Sequence, residues 1–291
     1  MPFLGEALAL ASAFLYAASA VAIAKGSETR PDDGGAALLS VVVTGALAGG
    51  LWLLLGPEVP GWDGMAWRGV AFFVLAGVLA NLIGRALMFR SVALAGAIET
   101  GILRRLIPVF AAILAILLLG ERITPATAVG VALVFAAVAI TVLRRGLPEK
   151  GGPARGRGRV LATVSAAGFG GAFVARKAGL AALPDPLLGT LVGAATGALA
   201  YLPLALRGGM ARGLPSGWQV AAAVAISLGQ IALFFALSFT TVTAVAVIGA
   251  CEMFFSAYLA AFLLRTEPWP GPAFVLSSLL ALAGAAAIAV G

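Results

Sequence analysis

The feature that most constrains this chain is a succession of ten apolar runs, each long enough to cross a bilayer. A hydrocarbon core of about 30 Å needs roughly 20 residues of helix to span it. Runs of that order occupy residues 4–24, 34–55, 68–90, 97–119, 125–143, 159–178, 186–206, 217–238, 241–264 and 270–290. Helix-ending residues stand between them: Pro31-Asp32-Asp33-Gly34, Gly56-Pro57 with Pro60-Gly61, Pro148 with Gly151-Gly152-Pro153, Pro184-Asp185-Pro186, Gly208-Gly209 and Pro268-Trp269-Pro270. The slightest break is Phe239-Thr240-Thr241. The runs are twice as long as a spanning strand and do not alternate, which argues against a barrel. The expected fold class is therefore all-α, a polytopic membrane protein with ten transmembrane helices. The first run lacks a basic leader and is followed by nine more, so it reads as a span, not a signal peptide.

Composition narrows the function. Of the 291 residues, 62% are hydrophobic and 11% charged, against about 45–50% and about 25% in soluble globular chains. A soluble enzyme, a nucleic-acid binder and a disordered chain are poor readings of such numbers. Most of the net charge of +7 lies in residues 144–159, where Arg144, Arg145, Lys150, Arg155, Arg157 and Arg159 against Glu149 leave +5. One basic loop among apolar runs is a topology signal. There is no histidine and one cysteine, Cys251. Imidazole metal sites, Ser-His and Cys-His catalysis and an intrachain disulfide are thereby excluded. No Gly-x-x-x-x-Gly-Lys-[Ser/Thr] loop is present, and no carboxylate–histidine cluster lies within the spans. No cofactor, metal or catalytic residue is expected, and nucleic acid is not an expected partner.

Loop charge orients the chain. The loops after spans 1, 3, 5, 7 and 9 hold Lys25, Arg30, Arg90, the six residues above, Arg207, Arg212 and Arg265, twelve in all. The other side holds four, Arg68, Arg122, Arg176 and Lys177, and the remaining three, Arg85, Arg104 and Arg105, fall within spans. Both termini are expected outside, in a bacterial inner membrane.

The two halves echo each other. Ser12-x-x-x-Tyr16-Ala17-Ala18 parallels Ser165-x-x-x-Phe169-Gly170-Gly171, with Gly26 and Gly179 closing both segments. Span 2 carries Gly45-x-x-x-Gly49, and span 7 carries Gly189-x-x-x-Gly193-x-x-x-Gly197, spacings that let helices approach closely. Phe89–Leu94 parallels Phe234–Phe239, and Leu117-Leu118-Leu119-Gly120-Glu121 parallels Leu263-Leu264-Arg265-Thr266-Glu267. Residues 1–145 and 159–291 thus read as two five-helix repeats joined by a basic cytoplasmic linker, 146–158. Five is odd, so the second repeat starts on the opposite face from the first, and an inverted repeat follows.

These residues resemble the EamA type of the drug/metabolite transporter superfamily. The resemblance is strongest from Pro108-Val109-Phe110-Ala111-Ala112 through Leu118-Leu119-Gly120-Glu121-Arg122 to Gly130. In the second repeat Glu252-Met253 replaces a Glu-Pro pair and Arg265-Thr266-Glu267 the Gly-Glu step, while Tyr16-Ala17 and Phe169-Gly170 stand for a Trp-Gly pair. The resemblance implies a ten-helix exporter or exchanger of small metabolites, amino acids and drugs among them.

Ionisable residues within spans are costly and mark substrate or ion pathways. Asn81 and Arg85 lie one turn apart in span 3, and Gly101, Arg105, Pro108 and Ala112 share a face of span 4. Span 8 contributes Ser227, Gln230 and Phe234, and span 9 aligns Gly249, Glu252 and Ser256. Arg85, Arg104 and Arg105 are expected to hold an anionic group, because guanidinium presents a planar fork of donors to carboxylate or phosphate. Asn81 and Gln230 would line the same site, with Tyr16, Phe169 and Phe234 as its apolar wall. Two alternatives stay open: snorkelling of the arginines to an interface and their structural pairing with Glu99 or Glu252. Glu252 and then Glu99 are the candidates for proton coupling, with Glu6 a distant third; Glu121 and Glu267 read as helix-end anchors. The expected function is secondary transport of a small anionic or zwitterionic, amino-acid-like metabolite by alternating access, in the direction of export. The alternative is a flippase for a phosphate-bearing lipid-linked substrate.

Overall fold

The computed structural model describes residues 3–29, 35–55, 61–144, 153–206, 215–263 and 269–290. Ten helices in it are long and apolar enough to cross a membrane. They are α1 (Leu4–Thr29), α2 (Gly35–Leu55), α3 (Gly64–Ala95), α4 (Glu99–Leu119), α5 (Pro125–Arg144), α6 (Pro153–Ala182), α7 (Pro186–Leu206), α8 (Gly217–Phe239), α9 (Val242–Leu263) and α10 (Pro272–Val290). There is no strand among the described residues. Each run expected to span is a helix, and the differences lie at the ends. The punctuation at 31–34, 56–60, 148–152, 208–209 and 268 lies outside the described residues, as do Arg30, Arg145, Lys150, Arg207, Arg212, Arg265 and Glu267.

The ends have local causes. α3 starts at Gly64, earlier than its apolar run, because Asp63 caps it and accepts from the Ala66 N–H at 2.8 Å. It continues past Arg90 to Gly96, whose φ of 86° suits glycine and turns the chain into α4. Gly120, at φ 67°, ends α4 in the left-handed cap conformation. The slight break at 239–241 is real: Thr240 is extended, and Thr241 caps α9 by accepting from the Ala244 N–H at 3.2 Å. α6 is the largest departure. It opens at Pro153, a residue suited to a first helical turn, and ends at Ala182. Residues 153–158, read as linker, are its first turns, and Arg176 and Lys177, counted as loop charges, lie within it.

Lipid supplies no hydrophobic drive between helices, so association rests on close packing and on interhelical hydrogen bonds. Here α1 packs on α8, α3 on α6, α2 on α7 and α5 on α10; α4 packs on α6, α1 on α9, α2 on α8, α3 on α7 and α4 on α9. Exchanging the first five helices for the last five maps these nine most extensive interfaces onto one another, whereas lesser ones such as α7 on α8 are not matched among the described residues. Two buried serines follow the same rule. Ser12 of α1 donates to the Gly229 carbonyl of α8 at 2.8 Å, and Ser165 of α6 donates to the Gly84 carbonyl of α3 at 2.5 Å. Small residues permit the contact. A Cβ on Gly170 would sit 2.8 Å from the Ala111 backbone nitrogen, and one on Gly284 would sit 2.7 Å from the Gly130 carbonyl oxygen. The paired Gly-x-x-x-Gly segments of α2 and α7 do meet, with Gly45 against Ala194 and Gly49 against Leu191.

A cationic cavity where three helices lose regular geometry

A cavity of about 460 Å³ lies between helices of both halves, within the range of small-molecule sites. Three helices leave α geometry where they meet it. α3 passes through a π-helical segment, Leu79–Arg85, which carries Arg85; such bulges recur at functional sites. α4 tightens to a 3₁₀ turn, Arg104–Leu106, just ahead of Pro108. The cause is local, since proline lacks an N–H and its ring crowds the carbonyl four residues back, here that of Arg104. α9 is interrupted by a turn at Ala250–Cys251, directly before Glu252. Irregular backbone at membrane depth is tolerated where it is buried in protein or lines a cavity.

The sequence-selected residues converge here. Arg85, Arg104, Arg105, Tyr16, Phe169, Gln230 and Glu252 all line the cavity. Asn81 and Phe234 line a smaller annex of about 40 Å³, which shares Arg85, Gln230 and Arg176 with the main chamber. The Arg104 guanidinium lies 5.7 Å from the Phe169 ring, and its buried Nε has no hydrogen-bond partner. Asn81 donates to the Gly77 carbonyl at 2.9 Å. Ser227 turns away from the chamber, bonding to Thr44 at 2.8 Å and to the Ala223 carbonyl at 2.6 Å. Ser256 and Ala112 are not among the lining residues.

Glu99 falls elsewhere. Its carboxylate pairs with Arg159 at 2.8 Å and with Arg155 at 3.1 Å, both from the first turns of α6, and it does not line the cavity. The geometry matches the pairing alternative for this residue, with arginines that had been assigned to a loop.

Arg176 is the residue that loop counting misplaced. It is 7% exposed and lines both chambers. The Phe173 and Phe234 rings flank its guanidinium at 5.7 and 5.3 Å, and its Nε is unpartnered. A signal was available: Gly179, read as closing the segment, is followed by Leu180-Ala181-Ala182-Leu183 with no further breaker before Pro184. Apolar residues continue there for another turn and a half, which places the Arg176-Lys177 pair inside a span. Phe173, one turn before Arg176 on α6, also lines the chamber and was not singled out in the sequence.

The chamber reaches toward one end of the bundle and is tied at the other. Ile23, Phe89 and Gln219 line it near the end of α1 and the start of α8, where Ile23 is 39% and Phe89 50% exposed. At the opposite end Thr240 donates to Glu6 at 2.5 Å, and Lys177 donates to the Leu237 and Thr240 carbonyls at 2.7 and 3.0 Å. Glu121 accepts from the Val242 and Thr243 N–H groups at 2.6 and 3.1 Å and from the Thr243 hydroxyl at 2.8 Å. The glutamate of the Gly-Glu step, expected as an anchor of its own helix end, thus caps α9 of the other half, where orphan N–H groups and the helix dipole favour an anion.

The sequence profile of the EamA-like transporter family matches residues 3–143, the first five helices. A solved structure titled only "Crystal structure of protein" superimposes with a TM-score of 0.75 at 19% identity, covering 99% of this chain and 96% of its own. At that identity the likeness is one of fold. No curated protein matches the chain. That profile assigns residues 3–143, the first five of ten helices long and apolar enough to span a membrane, to the EamA-like transporter family of the drug/metabolite transporter superfamily, a family of integral membrane transporters.

Proposed function

We propose that the protein is a secondary transporter that exports a small anionic or zwitterionic, amino-acid-like metabolite by alternating access. The observation that carries this reading is the chamber between the halves, lined by Arg85, Arg104, Arg105 and Arg176 with Glu252 the one lining carboxylate. Guanidinium groups in such a site receive a carboxylate through paired N–H donors, and the rings of Tyr16, Phe169 and Phe173 receive the apolar part. The two five-helix halves are of opposite topology in this reading. Support comes from a packing scheme whose nine most extensive interfaces survive their exchange and from the Ser12–Gly229 and Ser165–Gly84 bonds. Such halves can rock about a fixed central site.

With Arg176 and Lys177 inside a span, two cations, Arg68 and Arg122, remain on the outer side against twelve on the inner. The start of α8, and with it the end toward which the chamber reaches, then faces the cytoplasm of a bacterial inner membrane, with both termini outside. That arrangement suits a protein that loads its substrate from inside. Glu252, an acid within the chamber, is the coupling group in this scheme, taking up a proton from outside and releasing it inside.

Reconstitution tests the proposal. Proteoliposomes with an imposed pH gradient are expected to accumulate amino or organic acids. Glu252→Gln is expected to abolish gradient-driven accumulation while leaving exchange between equal pools. Accumulation that ignores both the gradient and Glu252→Gln would show the coupling assignment to be wrong.

A further inference from the structure

The annex between α2, α3, α7 and α8 adjoins the main chamber and shares Arg85, Arg176 and Gln230 with it. Ser40, Thr44, Asn81, Thr190, Gln230 and the guanidinium groups of Arg85 and Arg176 line it. At about 40 Å³ it has room for about three water-sized groups, the size of one carboxylate or of part of a phosphoryl group. The hydroxyls of Ser40, Thr44 and Thr190 already donate to their own helices' carbonyls or, for Thr44, share a bond with Ser227. Donors for an anion therefore come from the arginines and Gln230.

Arg176 is held for such a role. It is more than nine-tenths buried, and no hydrogen bond or ion pair reaches it among the described residues. Stacking of Phe173 and Phe234 offsets part of the cost of burying a cation and consumes none of its N–H donors. Arg85 and Arg176 both line the annex. A buried cation with no protein partner calls for an anion beside it.

The second cationic point is Arg104, also with an unpartnered buried Nε. It sits against Phe169, while Arg176 sits against Phe173, four residues on along α6. The two supporting rings are offset by about one helical turn, roughly 6 Å of rise. Charge balance then selects the ligand. Arg85, Arg104, Arg105 and Arg176 line this chamber against Glu252, a net of three positive charges among the described residues. A zwitterion leaves all of that charge uncompensated, a monoanion leaves two charges, and a dianion leaves one.

We infer that the substrate is an organic dianion, one acidic group seated between Arg85 and Arg176 in the annex and the other held by Arg104 beside Phe169. This rests on the carrier reading and narrows it, since the two charges lie at the ends of a short carbon chain.

The test uses the full chain in detergent, with affinity read from ligand-induced thermal shifts. Glutarate, adipate and 3-phosphoglycerate are the dianionic probes; pentanoate is the monoanion and leucine the zwitterion. At least one dianion is expected to bind tenfold or more tightly than pentanoate and leucine. Arg176→Gln is expected to bring that dianion down to the level of pentanoate, with pentanoate itself shifted less. Arg104→Gln provides the same comparison at the other seat and decides the matter if Arg176→Gln fails to fold. Pentanoate or leucine binding as well as every dianion, or dianion affinity unchanged in both variants, overturns the inference and leaves the carrier standing. Binding of none of the five probes removes the inference and the anion-carrier reading together.

Discussion

Arg176 and Glu99 show how one neighbour decides what a charged residue does within a span. Both are charged and almost fully buried. Glu99 is answered by two arginines from α6, whereas Arg176 is answered only by aromatic rings and open space. At this scale the expectation is a clean split between them. Glu99→Gln should leave substrate affinity within about twofold and gradient coupling intact, because its carboxylate lies outside the chamber. Arg104→Ala should weaken anion binding by tenfold or more, a loss of at least about 1.4 kcal/mol. Equilibrium binding to the purified variants checks both. Most of the charged lining was readable in the sequence, because an arginine or glutamate inside an apolar run is conspicuous. Arg176 and Phe173 were not, because a charged pair near the end of a run is indistinguishable from a loop until the helix end is known.

At the scale of the element, the helices that matter are the ones that depart from regularity. The 3₁₀ turn of α4 was foreshadowed by Pro108, but nothing in Leu79–Arg85 announces a π-helical segment. That segment adjusts the phase of α3 so that Gly84 receives Ser165 while Arg85 reaches the chamber. The two serine bonds give a paired expectation. Ser12→Ala and Ser165→Ala should each cost about 0.5–1.5 kcal/mol, and by similar amounts, as judged by unfolding in mixed detergent. A large inequality would count against equivalence of the halves. Glu121 makes a third case. Glu121→Ala strips three hydrogen bonds from the start of α9 and should cost about 2–3 kcal/mol. Glu121→Gln, which keeps an acceptor but loses the charge, should cost less in the same measurement.

For the whole molecule, the question is which end of the chamber opens. The end held by Glu6, Thr240, Lys177 and Glu121 is tied by hydrogen bonds between elements, and the chamber reaches toward the other end, near Ile23, Phe89 and Gln219. If transport requires the tied end to part, a disulfide there should stop it. Glu6→Cys with Thr240→Cys, oxidised in vesicles, is expected to abolish transport reversibly while ligand binding from the other end survives. The native Cys251, 1% exposed, should not interfere. Transport unaffected by the cross-link would place the moving parts elsewhere.

The ten spans and the helical class were legible in the sequence alone, because bilayer thickness converts run length directly into spans and because lipid forbids unsatisfied backbone. The location of the chamber, the capture of Glu99 by α6, the reach of Glu121 across to α9 and the isolation of Arg176 were decided only by the tertiary structure. Each depends on the register and rotation of one helix against another, and in an apolar environment these are set by the meeting of small faces contributed by residues far apart in the chain.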